Sequence, residues 1–138
     1  MKFSIKVQYG LQAMLDLAIK FGAGPVQIAE IAKNQKIPVR YLEQLMLILK
    51  RRGLVVSSRG KHGGYTIVKH PSDITVLEII ETFDGPIELT SKKMKIIPFL
   101  YEIFENIQKD INKDLAGLTL EDLVFKKRQK ERSYIYNI

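Results

Sequence analysis

Residues 26–68 constrain this chain more than any other stretch. Ile28, Ile31 and Ala32 mark a short helix, Asn34-Gln35-Lys36 a turn, and residues 38–53 a longer helix. Two strand-like runs follow, 54–58 and 64–68, joined by Arg59-Gly60-Lys61-His62-Gly63. Helix, turn, helix and a basic glycine-rich hairpin in that order make a winged helix-turn-helix. In that shape one helix enters the DNA major groove and a loop lies beside it.

The flanking signals agree. Val7, Leu11, Met14, Leu15 and Ala18 recur at i, i+4, i+7, i+8 and i+11, one face of a first helix, which Phe21-Gly22-Ala23-Gly24-Pro25 stops. Ala29 is small enough for close helix contact in the second helix. Pro38 suits the opening turn of the third, where a missing amide hydrogen costs little, and Gly53 ends it.

At about 100° per residue, Leu42, Leu45, Met46 and Leu49 of the third helix share one arc and must pack inward. Arg40, Glu43, Gln44, Leu47, Lys50 and Arg51 share the opposite arc. A solvated helix shows a similar polar face, but the preceding turn and following wing favour a groove-reading one. Arg40, Glu43 and Gln44 lie near the N-terminal end, the part that reaches base edges. Arginine suits guanine O6/N7, glutamine adenine N6/N7, and a carboxylate accepts from cytosine N4. Glu43 is unusual, since phosphates repel a carboxylate that has no donor to meet. Tyr41 falls on the flank, its hydroxyl placed for a phosphate or its ring for the core. In the wing, Gly60, Gly63 and Gly64 permit positive φ and close approach of backbone to DNA, and Arg59 and Lys61 project toward phosphates or the minor groove. The competing reading is an ordinary hairpin with solvated charges. A phosphate-cradling loop lacks its strand-GxxxxGK[ST]-helix context.

Charge supports the DNA reading independently. Residues 1–70 carry 12 Lys/Arg against 3 Asp/Glu, a net of +9. Residues 71–125 carry 5 against 11, a net of −6, and residues 126–138 carry 5 against 1, a net of +4. Solubilising lysines explain the overall +7 but not so sharp a split, and phosphate neutralisation is the sequence-independent part of DNA binding. The 138 residues, 46% hydrophobic, suit one compact domain with an appended segment. No apolar run approaches the roughly 18 residues that span a membrane, and no signal peptide opens the chain, so the expected location is the cytoplasm. There is no cysteine, hence no disulfide, thiolate metal site or cysteine nucleophile.

The runs Tyr41-Leu42-Glu43-Gln44-Leu45, Leu49-Lys50-Arg51-Arg52-Gly53-Leu54-Val55, Ser58-Arg59-Gly60 and Gly63-Gly64-Tyr65 resemble the bacterial family of IscR, NsrR and CymR. Ala13-Met14-Leu15-Asp16-Leu17 resembles that family's first helix and Ile28-Ala29-Glu30-Ile31-Ala32 its second. Residues 74–80 and 118–123 are similar to segments further on. The resemblance covers nearly the whole chain. It implies a homodimeric winged-helix transcription regulator, usually a repressor, on a partly palindromic operator in double-stranded DNA. It carries DNA contacts onto the exposed residues of helix three, Glu43 and Gln44 among them, and onto Arg59, Gly60 and Lys61. Many members hold an iron–sulfur cluster through three cysteines in the loop after the segment equivalent to residues 74–84. Here that loop, 85–97, offers no thiolate, so cluster sensing does not transfer and no cofactor or metal site is expected. The signal is left open between a small-molecule effector, a partner protein and control by concentration.

From Pro98, Leu100, Ile103, Phe104, Ile107 and Ile111 form a stripe along a helix of about four turns, with Glu102, Glu105, Lys109 and Asp110 on its other side. Such a stripe is more often intramolecular core. A domain already holding a core from three helices nevertheless leaves it to a partner subunit, which would space two recognition helices about one DNA turn apart. Leu118, Leu120 and Leu123 then lead to a basic tail, read as a solvated end or an extra phosphate contact.

The only histidines, His62 and His70, lack metal-ligand spacing, and Asp73, Glu78, Glu81 and Asp84 read as a solvated helix face. An enzyme is not expected. The rival reading is a winged-helix adaptor for protein or RNA without a specific operator. The expected fold is mainly α with a small β-hairpin wing. Its units are a winged helix-turn-helix over 1–84, a short loop over 85–97, a dimerisation helix and following segment over 98–125, and a basic tail over 126–138.

Overall fold

The computed structural model describes residues 2–136. Met1 of the 1–84 unit and Asn137 and Ile138 of the 126–138 tail lie outside the described residues. Among the described residues, six helices and one two-stranded antiparallel sheet run in the order α1 (Ile5–Ile19), α2 (Ile28–Gln35), α3 (Val39–Arg51), β1 (Val55–Ser58), β2 (Gly64–Ile67), α4 (Val76–Asp84), α5 (Pro98–Ala116) and α6 (Leu120–Tyr136). Short 3-10 turns occupy Pro71–Asp73 and Lys92–Ile96, the second inside the segment expected to be plain loop.

Local chemistry sets most boundaries. Ser4 caps α1 by accepting the Val7 amide hydrogen (3.3 Å), and Thr75 caps α4 through the Glu78 amide (3.1 Å). Thr119 and Asp122 cap α6 reciprocally: the threonine hydroxyl accepts from the Asp122 amide (3.1 Å), and the carboxylate accepts from the Thr119 amide (2.9 Å). Lys36 at φ 55° ends α2, so Asn34 and Gln35 belong to the helix and Lys36 alone makes the left-handed turn. Gly53 at φ 81° follows the end of α3.

The core forms around α1. Its Ala13, Met14 and Leu17 pack with Ile31 of α2, Leu42, Met46 and Leu49 of α3, Ile67 of β2, Ile79 of α4, and Leu120 and Val124 of α6. The buried face of α1 is therefore wider than the expected stripe. Val7, Met14 and Ala18 are buried within it, but Leu11 and Leu15 are only half-buried, at its edge. Gly10 lets α4 approach, because a Cβ there would overlap the Phe83 ring. Ala29, expected at a close helix contact, is exposed instead, since Ile31 and Ala32 present the buried face of α2.

The C-terminal third differs from expectation in extent. α5 runs 19 residues, about five turns, because nothing breaks it before Gly117. Its stripe is divided. Leu100, Phe104 and Ile111 are half-buried on the side where Gln108 accepts from the Leu89 amide (2.7 Å), while Ile103 and Ile107 stay exposed beside Phe99. The 126–136 part of the basic segment continues α6, whose start joins the winged core through Leu120 and Val124. Thr75 and Thr119 form a single antiparallel bridge, with Val76 donating to the Leu118 carbonyl (2.8 Å).

Leu42→Ala should cost about 2–5 kcal/mol in urea unfolding, because its fully buried side chain leaves a cavity, whereas Leu47→Ala on the exposed arc should change stability by less than about 0.5 kcal/mol. The hydrogen bonds from Thr119, with the Lys126 charge, hold the Asp122 carboxyl below the usual carboxylate range. A depressed folded-state value stabilises at neutral pH, and that stabilisation is lost as pH falls through it. The stability difference between wild type and Asp122→Ala should thus be largest near neutrality and vanish in acid, as followed by thermal unfolding against pH.

Candidate nucleic-acid interface

The exposed face of α3 is built by burying the other side of the helix. Leu42, Leu45, Met46 and Leu49 are all 0% exposed, which fixes the rotation of α3 and turns Arg40, Glu43, Gln44, Leu47, Lys50 and Arg51 outward. Tyr41 is half-buried, its ring edge-on to Tyr9 of α1 at 5.7 Å, so its ring packs on the core. α1 also holds the turn before α3, where the Gln12 side-chain amide donates to the Gln35 carbonyl (3.3 Å).

The wing is anchored at its base. β1 and β2 pair from Val55↔Ile67 to Ser58↔Gly64. Val26, just before α2, adds a one-residue third strand: its amide donates to the Tyr65 carbonyl (2.9 Å) and its carbonyl accepts from the Tyr65 amide (2.8 Å). This bridge was not legible in the sequence, because one residue after Gly24-Pro25 carries no strand periodicity. Gln27 donates to the Lys61 carbonyl (3.4 Å), and Lys50 of α3 donates to the Ser57 hydroxyl of β1 (2.8 Å). Helix face and wing are thereby joined by side chains that composition alone does not single out. Arg59, Gly60, Lys61 and His62 are exposed at the tip.

Gly60 and Gly64 have φ of 101° and 147°, a region that L side chains rarely adopt. Gly63 does not have positive φ, contrary to expectation. A Cβ there would instead collide with the Ser58 carbonyl across the tight loop, which the Gly63 amide closes onto the Gly60 carbonyl (3.0 Å). A Cβ on Gly64 would meet the Val26 carbonyl at the base bridge.

The electrostatics isolate one carboxylate. Residues 1–70 contain only Asp16, Glu30 and Glu43 as acids. Asp16 is buried and Lys20 binds both it (3.0 Å) and Glu30 (3.1 Å), tying α1 to α2. Partial burial pulls the Lys20 pKa down, but its hydrogen bonds and attraction to both carboxylates outweigh this and leave it above the ordinary lysine value. Glu43, on the outward face of α3, is then the one acid of this segment outside an ion pair among the described residues. Lys33 in α2 and Lys36 at the turn are also exposed, and neither was expected among the DNA contacts.

The remaining histidine is structural: His70 Nδ1 accepts from the Ser72 amide (3.1 Å), and its ring meets Phe21 edge-on at 5.3 Å. Asp84 is no bare solvated acid either, since its carboxylate accepts from the Ser4 amide (3.0 Å) and hydroxyl (2.5 Å).

Residues 3–126 match the Rrf2 family, an iron-dependent transcriptional regulator family by its description. The chain belongs to the Rrf2 family. The regulator CymR of Bacillus subtilis is 36% identical over 138 residues, covering 100% of both chains. IscR of Escherichia coli is 43% identical over 90 residues, 65% of this chain and 56% of that protein. Among solved structures, B. subtilis CymR superposes with a TM-score of 0.81 at 36% identity, covering 91% of this chain and 98% of that one. T. potens IscR gives 0.76 at 38% identity, covering 92% and 88%. This Rrf2 member is accordingly a DNA-binding transcription regulator of winged-helix fold, not an enzyme. No helix among the described residues is long and apolar enough to cross a membrane.

The family's iron chemistry does not fit these residues. The 85–97 loop supplies Glu88, Thr90, Ser91 and three lysines but neither thiolate nor imidazole. Among the described residues no three His, Cys, Asp or Glu side chains gather as a metal site.

Gly64→Ala should cost both fold stability and DNA affinity, because positive φ and the Val26 carbonyl each oppose a side chain; Gly60→Ala, with nothing of the protein near its Cβ, should destabilise the fold only by the φ strain of about 1–2 kcal/mol and act mainly on DNA affinity. Thermal unfolding and duplex titration of the two variants together check this.

Proposed function

We propose that this regulator acts as a homodimeric repressor on a partly palindromic operator, with Arg40, Glu43 and Gln44 reading bases and Lys50, Arg51, Arg59, Gly60 and Lys61 holding the backbone. The observation that carries the reading is the joint exposure of the α3 face and the wing tip on the strongly basic half of the chain. Paired Asp16 and Glu30 leave Glu43 as the acid that meets DNA, and a carboxylate there gains only from a base donor such as cytosine N4. Tyr41 serves as a spacer, its ring setting the height of α3 over α1.

Two copies place two recognition helices on successive half-sites, and the open Phe99, Ile103 and Ile107 face of α5 is the surface that pairs them, with half-buried Leu100, Phe104 and Ile111 at its margin. A cytoplasmic regulator without cluster ligands needs another signal. A small molecule near the junction of α4, α5 and the 85–97 loop is preferred to a partner protein, because the loop is bonded to α5 through Gln108 and Glu105. A ligand there has two packed elements whose relation it can shift.

Selection of bound genomic fragments, followed by titration against random duplex at several salt concentrations, tests the operator reading. Glu43→Ala and Gln44→Ala should each relax preference at particular positions by about 1–3 kcal/mol, while Lys50→Ala and Arg59→Ala should weaken all duplexes alike and lower the salt slope. Weak binding without sequence preference, or full base preference in the Glu43 variant, would overturn the assignment and favour an adaptor.

A further inference from the structure

We propose that Leu47, with Val39 beside it, reads thymine methyl groups in the major groove, so that the operator carries thymines close to the pair that Glu43 reads. The inference rests on the base-reading role given to the outward face of α3 and adds an apolar determinant to it. Val39 and Leu47 are 44% and 47% exposed. They stand four residues before and four residues after Glu43, so each neighbours it along one face of the helix. Leu47 is the more outward of the two. At about 100° per residue it falls between Arg40 and Glu43, within about 30° of the direction opposite the buried leucines and methionine. Val39 lies at the edge of this arc but in the first turn of α3, the end that reaches base edges.

Neither side chain serves the core. Leu42, Met46 and Leu49 complete the α3 side of the core, and neither Val39 nor Leu47 is among the half-buried residues packed against it. An isolated exposed leucine elsewhere on a surface needs no explanation. This one occupies the middle of a face whose other members, Arg40, Glu43, Gln44, Lys50 and Arg51, are all polar. Nor do the two make a patch for a protein partner, since about 12 Å of helix separates them and charged side chains stand between.

Chemistry selects the occupant. Phosphates offer an aliphatic side chain nothing, and the major-groove edges of guanine, cytosine and adenine present hydrogen-bond donors and acceptors. Thymine adds the C5 methyl, the apolar group with which such a side chain makes contact there. The groove edge that gives Arg40, Glu43 and Gln44 their polar partners thus leaves a leucine among them one apolar target. Spacing places it: four residues of helix rise about 6 Å, close to two base steps of about 3.4 Å. The thymines therefore lie within about two base pairs of the one that Glu43 meets.

The test titrates the full chain against its selected operator duplex with each thymine in turn replaced by deoxyuridine, which lacks only the methyl group. Wild type should bind about fourfold more weakly at one or two positions in each half-site, the worth of one buried carbon. Leu47→Ala should bind the thymine operator with a similar loss and be indifferent to deoxyuridine at the position it reads. Leu47→Met, which keeps an apolar tip, should retain the sensitivity, and Val39→Ala should silence a different position. Any effect of deoxyuridine on duplex shape persists in the variants, so the double comparison isolates the contact. Circular dichroism verifies the fold of each variant. A wild type that binds its operator selectively yet ignores every deoxyuridine overturns the methyl reading and leaves the operator reading standing. So does a sensitivity that survives unchanged in both alanine variants. A wild type without preference for any duplex would instead remove the operator reading, and this inference with it.

Discussion

The complete burial of Leu42, Leu45, Met46 and Leu49, three of which join the core around α1, is the constraint from which the outward surface of α3 follows. Each such side chain contributes about 1.5–3 kcal/mol of transfer free energy, so rotating α3 by even one residue exchanges several of these for solvated arginine and glutamate. A helix pinned that strongly on one side has no freedom on the other. Its outward residues hold their positions because the inward ones have nowhere else to go. The Tyr9–Tyr41 contact and the Gln12–Gln35 bond then fix the height and entry of the helix from the same buried partner.

Polar side chains add a second layer of control. Lys20 pairs with two of the three carboxylates of residues 1–70, buried Asp16 and exposed Glu30, at the α1–α2 junction, which offsets their charge. The field over α3 and the wing is thus set as much by which acids are paired as by where bases are displayed. Lys50 bridges to Ser57 and so couples the end of α3 to the wing.

Period and punctuation made α1 to α3 legible, because one-sided burial writes a strong 3.6-residue pattern and Gly53 marks a true helix end. The wing was legible from its glycines, although the reason for Gly63 was steric rather than conformational. Contacts made by one residue at a time were not. Val26 pairing with Tyr65, Ser4 with Asp84 and Thr75 with Thr119 join segments remote in sequence, and no local pattern encodes them. The α5 stripe was visible as apolar, but periodicity cannot say which edge of a wide stripe meets the chain itself. The exposed outer arc of α3 was read correctly as outward; which of its residues touch bases is a property of the complex.

The return of α6 to the core has a consequence for synthesis. Leu120 and Val124 fill space between helices made from residues 5–84, so the winged unit lacks part of its interior until the chain has been extended past residue 124. Contacts so distant along the chain form late and slow the search for the native state. On the ribosome, the nascent regulator therefore carries its complete DNA-reading sequence well before it has a finished core. The order of translation itself delays a finished winged unit until residue 124 has been made and can reach the core.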